Sequence, residues 1–173
     1  HFREACPDVE IAIQTGLSQD IYELLVKGKV DVGIVSSAQV HPFIVTQTLF
    51  VDRLWVICPE DHFLAAYPFV SPQDLPNVPL ITMTGRATLR QDLEAIFGAY
   101  NLKMKICMEI DNVGVMQTMV AAGLGVSILP GSTRIQNQHL VAVPFVVTEP
   151  HLQEKTLRRF SLIHLENVLS PEV

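Results

Sequence analysis

The sequence predicts an α/β fold made of two lobes, and three observations support that prediction. Short apolar stretches that alternate like β-strands occur between segments with the 3.6-residue periodicity of helices. One β-rich run, Thr46–Pro59, is longer than a usual strand and carries Asp52 and Arg53 in its middle. The chain has 173 residues, of which 49% are hydrophobic, so it can bury a core without disulfides or metal.

The first elements are predicted to be a strand, a helix and a second strand. Residues 9–15 (VEIAIQT) alternate apolar and other side chains, which predicts a strand that Gly16 ends. We expect Ser18 to cap the following helix and Gly28 to close it. The apolar run Val30–Val35 predicts the second strand. Short loops between these elements favour a βαβ crossover in a parallel sheet.

The middle of the chain is predicted to leave one sheet and enter another through the strand Thr46–Pro59. Pro79–Met83 predicts a further strand, and a periodic apolar face after it predicts a helix. Thr88 and Gln91 have the spacing of a capping box for that helix, although Thr84 could cap an earlier start.

The last third is predicted to add strands around one more helix. Alternation over 104–110 predicts a strand, Asn112 is expected to cap a helix that ends near Ala122, and Val126–Leu129 predicts a buried strand. Two further strands are expected in the stretches HLVAVPF and TLRRFSLIHL.

The chain is predicted to cross between the lobes twice, near Asp52 and again around Val146–Leu157. We therefore predict that residues 1–53 and 155–173 form lobe I and that residues 57–147 form lobe II. Each lobe is expected to be Rossmann-like.

Two glycines in the stretch MVAAGLGVSILPG raise the question of a phosphate-binding loop. A dinucleotide loop needs a strand before it and a helix after it, whereas here a helix precedes the glycines and a strand follows. We interpret Gly123 as a left-handed helix end and Gly125 as a tight reversal into the strand. No cofactor is expected.

Composition argues against several classes of function. The net charge is −6 and the basic residues are scattered, which argues against direct binding of nucleic acid. No apolar run is long enough to span a membrane, and no secretory signal is visible, so a cytoplasmic location is expected. Neither the histidines nor the cysteines have metal-ligand spacing, and Cys6, Cys58 and Cys107 are interpreted as buried structural thiols. No catalytic arrangement is recognisable, so an enzyme is not expected.

The stretch MVAAGLGVSILP resembles the second-lobe signature of the effector-binding domain of LysR-type transcriptional regulators. Other pieces agree with that family in order and spacing: FREACPDVEIAIQTG, LLVKGKVDVGIV, LFVDRLWVICPEDHFLA and ITMTGRATLRQDLEAIF. The resemblance implies a fold like that of type II periplasmic binding proteins. It also implies a DNA-binding winged helix-turn-helix and a first lobe I strand, and we find neither in this sequence.

Four loops at the carboxyl ends of predicted strands are expected to face a cleft between the lobes. Three of them lead into helix N-termini, and together they supply hydroxyls and one guanidinium, a set that suits a small organic or inorganic anion. The resemblance also places the serine pair and the Thr-Gly-Arg loop at the effector pocket. The predicted ligand-binding residues are Thr15, Gly16, Ser36, Ser37, Thr82, Thr84, Gly85, Arg86 and Asn112.

Structural roles are the alternative for several of these residues. Ser18 and Asn112 could only cap helices, and Arg86 could be a solvated surface charge. The serine pair could simply end a strand. Asp111 is left out of the predicted set because a carboxylate would repel an anion.

The predicted function is the effector-binding and oligomerisation domain of a LysR-type regulator. A small anionic metabolite in the cleft would shift the population of lobe or dimer arrangements. The resemblance implies a homodimer or homotetramer in which the helix Thr88–Tyr100, predicted to carry two apolar stripes, packs on a partner chain. DNA would be bound only through a further N-terminal domain, and no membrane partner is expected. The alternative is a solute-binding protein of a transport system.

Overall fold

The structure is a computed structural model that describes residues 2–37, 39–133, 135 and 138–166. Its α-helices are α1 Phe2–Ala5, α2 Ser18–Val26, α3 Thr88–Ala99, α4 Val113–Ala121 and α5 Pro150–Gln153. Its strands are β1 Gly33–Val35, β2 Ile44–Pro59, β3 Leu80–Thr82, β4 Ile106–Glu109, β5 Ser127–Pro130, β6 Leu140–Pro144 and β7 Leu157–Leu165. Short 3₁₀ helices occupy Phe63–Ala66, Pro72–Asp74 and Glu154–Thr156.

The long strand β2 belongs to two sheets, as the sequence predicts. From Ile44 to Arg53 it pairs antiparallel with β7, which in turn pairs with β1. From Leu54 to Pro59 it pairs with β5 on one side and β6 on the other. We use lobe I for the first sheet with α2, and lobe II for the second sheet with β3, β4, α3 and α4. The predicted residue boundaries of lobe I include residues 1 and 167–173, which lie outside the described residues.

Lobe II contains the parallel arrangement expected of βα units. β3 pairs parallel with β4, and a parallel bridge between Leu80 and Val126 joins β3 to β5. Buried side chains of α3 and α4, including Phe97 and Met116, pack against this sheet in one continuous core. The predicted strands and helices of this lobe are confirmed in type and order.

The parallel βαβ unit predicted for lobe I is not formed. Residues 9–15 adopt no strand, and Ile13 in their middle is 83% exposed. A strand needs a neighbour to receive its backbone hydrogen bonds, and none of the described strands pairs with this segment. The second predicted strand is shortened to Gly33–Val35 and is antiparallel to β7.

Some helix ends lie where the sequence predicts them, and others have a different capping residue. Gly28 and Gly123 have positive φ angles, 62° and 74°, so both helix ends use the left-handed region as predicted. Ser18 and Thr88 are the first residues of their helices rather than caps. Leu17 occupies the N-cap position of α2, and its N–H donates to the carboxylate of Asp20 at 3.1 Å.

The cap of α3 is Ala87, whose side chain makes no capping hydrogen bond. The exposed residues of α3 are Gln91, Glu94, Ala95, Gly98 and Ala99, so the second apolar stripe predicted there contains only small residues. All of its large apolar side chains point into the lobe II core.

Gly125 has a different role from the predicted one. A Cβ atom at this position would lie 2.7 Å from the carbonyl oxygen of Pro79, so the glycine permits β5 to approach the chain that enters β3. Close approach to the backbone of Pro79 is what requires glycine at this entry into the strand.

The cysteines also differ from the prediction. Cys58 is buried, and burial raises the pKa of its thiol to about 11. Cys107 is exposed on β4 and Cys6 is only partly buried. The prediction of three buried thiols is therefore correct for Cys58 alone.

Candidate functional site

A cavity of about 190 Å³ lies between the two lobes. Lobe I contributes the segment Gly16–Gln19 at the start of α2, together with Ile34, Ser36 and Phe160. Lobe II contributes Met83 and the segment Arg86–Leu89 at the start of α3. The N-termini of two helices from different lobes therefore meet at one cavity.

The two helix starts place partial positive charge at the cavity. The first turn of a helix leaves backbone N–H groups without partners inside the helix, and the helix dipole places partial positive charge there. Arg86 adds a guanidinium at the cavity wall. Ser36 adds a hydroxyl from the end of β1.

Buried and partly buried contacts hold the lobe II wall in place. Arg90 is 8% exposed and binds the carboxylate of Glu109 at 2.6 Å and that of Glu94 at 2.8 Å. The same guanidinium donates to the carbonyl oxygen of Met83 at 3.2 Å. Arg90 therefore ties the loop before α3, which carries the cavity residues, to β4 and to its own helix.

The lobe I wall is supported by α2. The hydroxyl of Tyr22 accepts a hydrogen bond from the N–H of Gln39 at 2.8 Å, which connects the segment after Ser36 to the helix. Phe160 on the cavity wall stacks on Phe50 of the neighbouring strand, with ring centroids 4.7 Å apart. These contacts fix Phe160 and the segment that follows Ser36.

An ion pair joins the two lobes beside the cavity. Nη2 of Arg86 lies 2.5 Å from Oδ1 of Asp20 on α2. The Arg86 side chain is 64% exposed and that of Asp20 is 37% exposed, so water reaches both groups. This carboxylate was missed by the sequence analysis, because its partner lies 66 positions away along the chain.

Three of the predicted ligand-binding residues line the cavity: Gly16, Ser36 and Arg86. Thr84 instead donates to the carboxylate of Asp111 at 3.0 Å through both its N–H and its hydroxyl. Asn112 caps α4, where its side-chain oxygen accepts from the N–H of Val115 at 3.0 Å. The cap predicted for Asn112 is thus confirmed.

The other predicted residues are placed near the cavity but not on its wall. Thr82 is 5% exposed, and its hydroxyl has no hydrogen-bond partner in the described part of the chain. Thr15, Ser37 and Gly85 also lie outside the cavity lining. A role in ligand binding for these residues remains a prediction.

The wall residues that sequence analysis missed have two origins. One group lies in or next to the predicted cleft loops, so a wider selection around each helix start would have included it: Leu17, Ser18, Gln19, Met83, Ala87 and Thr88. Ile34, Leu89 and Phe160 are predicted only as strand or core residues, and no local pattern marks them as cavity residues.

Among the described residues, no group of three or more potential metal ligands is present, and no helix is long and apolar enough to cross a membrane.

The sequence model of the family described as LysR substrate binding domain matches residues 1–172. The chain belongs to the LysR-type transcriptional regulators. This family consists of transcriptional regulators rather than enzymes, and the match favours the regulator prediction over the transport alternative.

Curated LysR-type relatives cover most of the chain. The uncharacterized HTH-type transcriptional regulator YnfL of Escherichia coli K12 is 26% identical over 181 residues, covering 97% of this chain and 61% of YnfL. The HTH-type transcriptional regulator cbl of the same organism is 30% identical over 129 residues, 74% of this chain and 41% of cbl. The chain thus spans less than two thirds of these relatives.

Solved structures confirm the type II periplasmic-binding-protein-like fold. The regulatory domain of Synechocystis PCC6803 CcmR in complex with 2-PG superposes with a TM-score of 0.81 at 18% identity, covering 96% of this chain and 78% of that one. The effector-binding domain of QuiR in complex with shikimate has a TM-score of 0.79 at 23% identity, covering 95% and 76%.

Proposed function

We propose that this LysR-type domain senses a small organic anion in the cavity between its lobes. The observation that carries the proposal is the convergence of two helix N-termini, Ser36 and Arg86 on one cavity of about 190 Å³. Helix N-termini bind carboxylate and phosphate groups through their free N–H groups, and an arginine can bind the same group bidentately. The proposed contacts are Gly16, Ser36 and Arg86, together with the N–H groups at the starts of α2 and α3.

The proposed mechanism is a population shift between lobe arrangements. The anion would contact α2 of lobe I and α3 of lobe II at once, so it would favour arrangements in which both helix starts reach it. In a homodimer or homotetramer, that preference would alter how the chains pack and hence how the DNA-binding parts are spaced. The complexes of QuiR with shikimate and of CcmR with 2-PG support a small-molecule effector.

Thermal unfolding of the chain against a panel of small anions tests this proposal. An effector at 100 times its dissociation constant should add about 2.7 kcal/mol to the free energy of unfolding and raise the Tm by a few degrees. Arg86→Ala should remove most of that rise. Arg159→Ala is the matched control, since Arg159 is also half-exposed and ion-paired, with Glu154, but does not line the cavity.

Two results would count against the proposal. One is a panel in which no anion raises the Tm. The other is an anion whose effect is unchanged in Arg86→Ala or is lost equally in Arg159→Ala.

A further inference from the structure

The arginine at the cavity wall is already partly neutralised by Asp20. Oδ1 of Asp20 lies 2.5 Å from Nη2 of Arg86, while Oδ2 accepts from the N–H of Leu17 at 3.1 Å. The second contact is the helix cap of α2, so it holds the carboxylate at the lobe I side of the cavity. A guanidinium has five N–H donors, so a contact through Nη2 leaves donors for a ligand.

The charges around this loop do not suit a plain anion. An anion on Arg86 would lie near the negative charge of Asp20, and like charges repel. Thr84, two residues before Arg86, binds a second carboxylate, that of Asp111. The segment Thr84–Arg86 therefore carries one guanidinium and holds two carboxylates.

If the ligand carried a hydrogen-bond donor next to its anionic group, Asp20 would attract the ligand instead of repelling it. A carboxylate offers about four acceptor positions, and Arg86 and Leu17 occupy two of them. A hydroxyl or ammonium group on the ligand could use a remaining position in a charge-assisted hydrogen bond. Asp20 would then attract the ligand by its donor while Arg86 holds the anion.

Resting on the function proposed above, we infer that the effector is a small carboxylic acid with a hydroxyl or ammonium group beside its carboxylate, and that Asp20 is the residue that selects it. The ion pair also joins the two lobes. Asp20 would therefore contact the ligand from lobe I, and Arg86 would contact it from lobe II. The volume of about 190 Å³ fits a compact metabolite.

Matched series of acids test this inference by calorimetric titration of the chain. Each series contains a plain acid, its hydroxy acid and its amino acid: propionate, lactate and alanine; succinate, malate and aspartate; 3-phenylpropionate, phenyllactate and phenylalanine. In at least one series the donor-bearing acid should bind roughly fivefold to tenfold more tightly than the plain acid, as expected for a charge-assisted hydrogen bond at a half-exposed site. Comparing hydroxy with amino acid shows which donor is used.

Asp20→Asn should bring that ratio close to one, and it should raise the affinity for the plain acid. The asparagine oxygen can still accept from the Leu17 N–H, so the start of α2 is preserved, which circular dichroism would verify. Glu23→Gln is the matched control: it removes a carboxylate from the same helix, but that carboxylate pairs with Lys27 and not with the cavity-wall residue Arg86. The ratio should not change in this variant.

The inference is overturned if, in every series that binds, the plain acid binds as tightly as its hydroxy and amino analogues, or if a preference for the donor-bearing acid survives in Asp20→Asn. It is also overturned if Glu23→Gln reduces the ratio as much as Asp20→Asn does. A plain acid that binds through Arg86 with no donor preference would contradict only this inference. Absence of binding by every acid would count against the function proposed above as well.

Discussion

Lobe II and lobe I supply opposite walls of the same cavity but bury very different cores. In lobe II, side chains from β2, β3, β5 and β6 and from α3, α4 and α5 form one continuous cluster, with Phe97, Ile96 and Leu129 almost fully buried. The described cluster of lobe I contains only Ile21, Tyr22, Leu25, Val35, Ile44 and Ile163. Lobe I also exposes large apolar side chains, among them Ile34 at 63%.

The two cavity walls are therefore supported by buried cores of different size. Local stability follows the number of buried apolar contacts, so the start of α3 rests on a well-packed wall, while the start of α2 rests on a small one. A ligand that contacts both walls would add proportionally more stability to lobe I.

The first prediction compares the same substitution in the two cores. Leu93→Ala in lobe II and Leu25→Ala in lobe I remove equal side chains that are 2% and 0% exposed. We expect Leu93→Ala to cost about 4 kcal/mol and Leu25→Ala about 2 kcal/mol, because a cavity within a large rigid core cannot collapse as easily. Urea unfolding followed by circular dichroism measures both values.

Equal losses in the free energy of unfolding for the two variants would contradict the contrast between the cores. A larger loss for Leu25→Ala would show that the lobe I core is the less tolerant of a cavity. The slope of the urea transition serves as a check, because a changed slope would indicate a change in the unfolded state instead.

The second prediction compares two glycines at which a side chain has no room. A Cβ atom at Gly125 would lie 2.7 Å from the backbone oxygen of Pro79, whereas one at Gly33 would meet side chains of Ile21 and Ile163 at 2.6 and 2.9 Å. Side chains in a small core can move more easily than backbone. We therefore expect Gly125→Ala to cost about 3 kcal/mol and Gly33→Ala about 1 kcal/mol.

Gly98→Ala provides the control for the glycine pair. A Cβ atom there meets nothing within 4 Å, and the residue is helical, so the substitution should stabilise the chain by about 0.5 kcal/mol. The midpoint of thermal unfolding can be measured for all three glycine variants and compared with that of the wild type. Gly33→Ala costing as much as Gly125→Ala would show that the lobe I core is as rigid as the backbone of lobe II.

The same contrast explains which parts of the fold were predictable from sequence. The periodicity of α3, the cap at Asn112 and the glycine at position 123 are local signals, and all are confirmed. The crossing of β2 between sheets was visible in its length and in the charged pair in its middle. These signals lie mostly in or next to lobe II, where local pattern and core packing agree.

The errors concern partners that are distant in sequence. Alternation over residues 9–15 predicts a strand, but a strand also needs a neighbour, and no local pattern reports whether one exists. Likewise, the sequence predicts that Arg86 faces the cleft, but it marks Asp20, the partner of Arg86 in the other lobe, only as a helix residue. Pairings between lobes depend on the fold, so the charge balance of the cavity could not be read from the sequence.

The third prediction concerns the junction between the lobes and has the smallest expected effect. Asp52 lies where β2 passes between the sheets, opposite Arg158 of lobe I, and its carboxylate receives hydrogen bonds from the turn after β5 of lobe II. Partial burial opposes ionisation, but hydrogen bonds from Ser132, Arg53 and Gly131 outweigh it. They hold the pKa of Asp52 below its ordinary value of 3.8.

A carboxyl group whose pKa is lower in the folded chain stabilises that chain fully above the unfolded value and loses the contribution as pH falls through the folded one. The stability difference between the wild type and Asp52→Asn should therefore be nearly constant from about pH 7 to about pH 5 and shrink below about pH 4. We expect it to stay under about 1 kcal/mol, because the group is partly solvated. Asp31→Asn, at an exposed lobe I carboxylate, is the control. A difference between wild type and Asp52→Asn that grows on acidification would show that the junction does not depend on the ionised carboxylate.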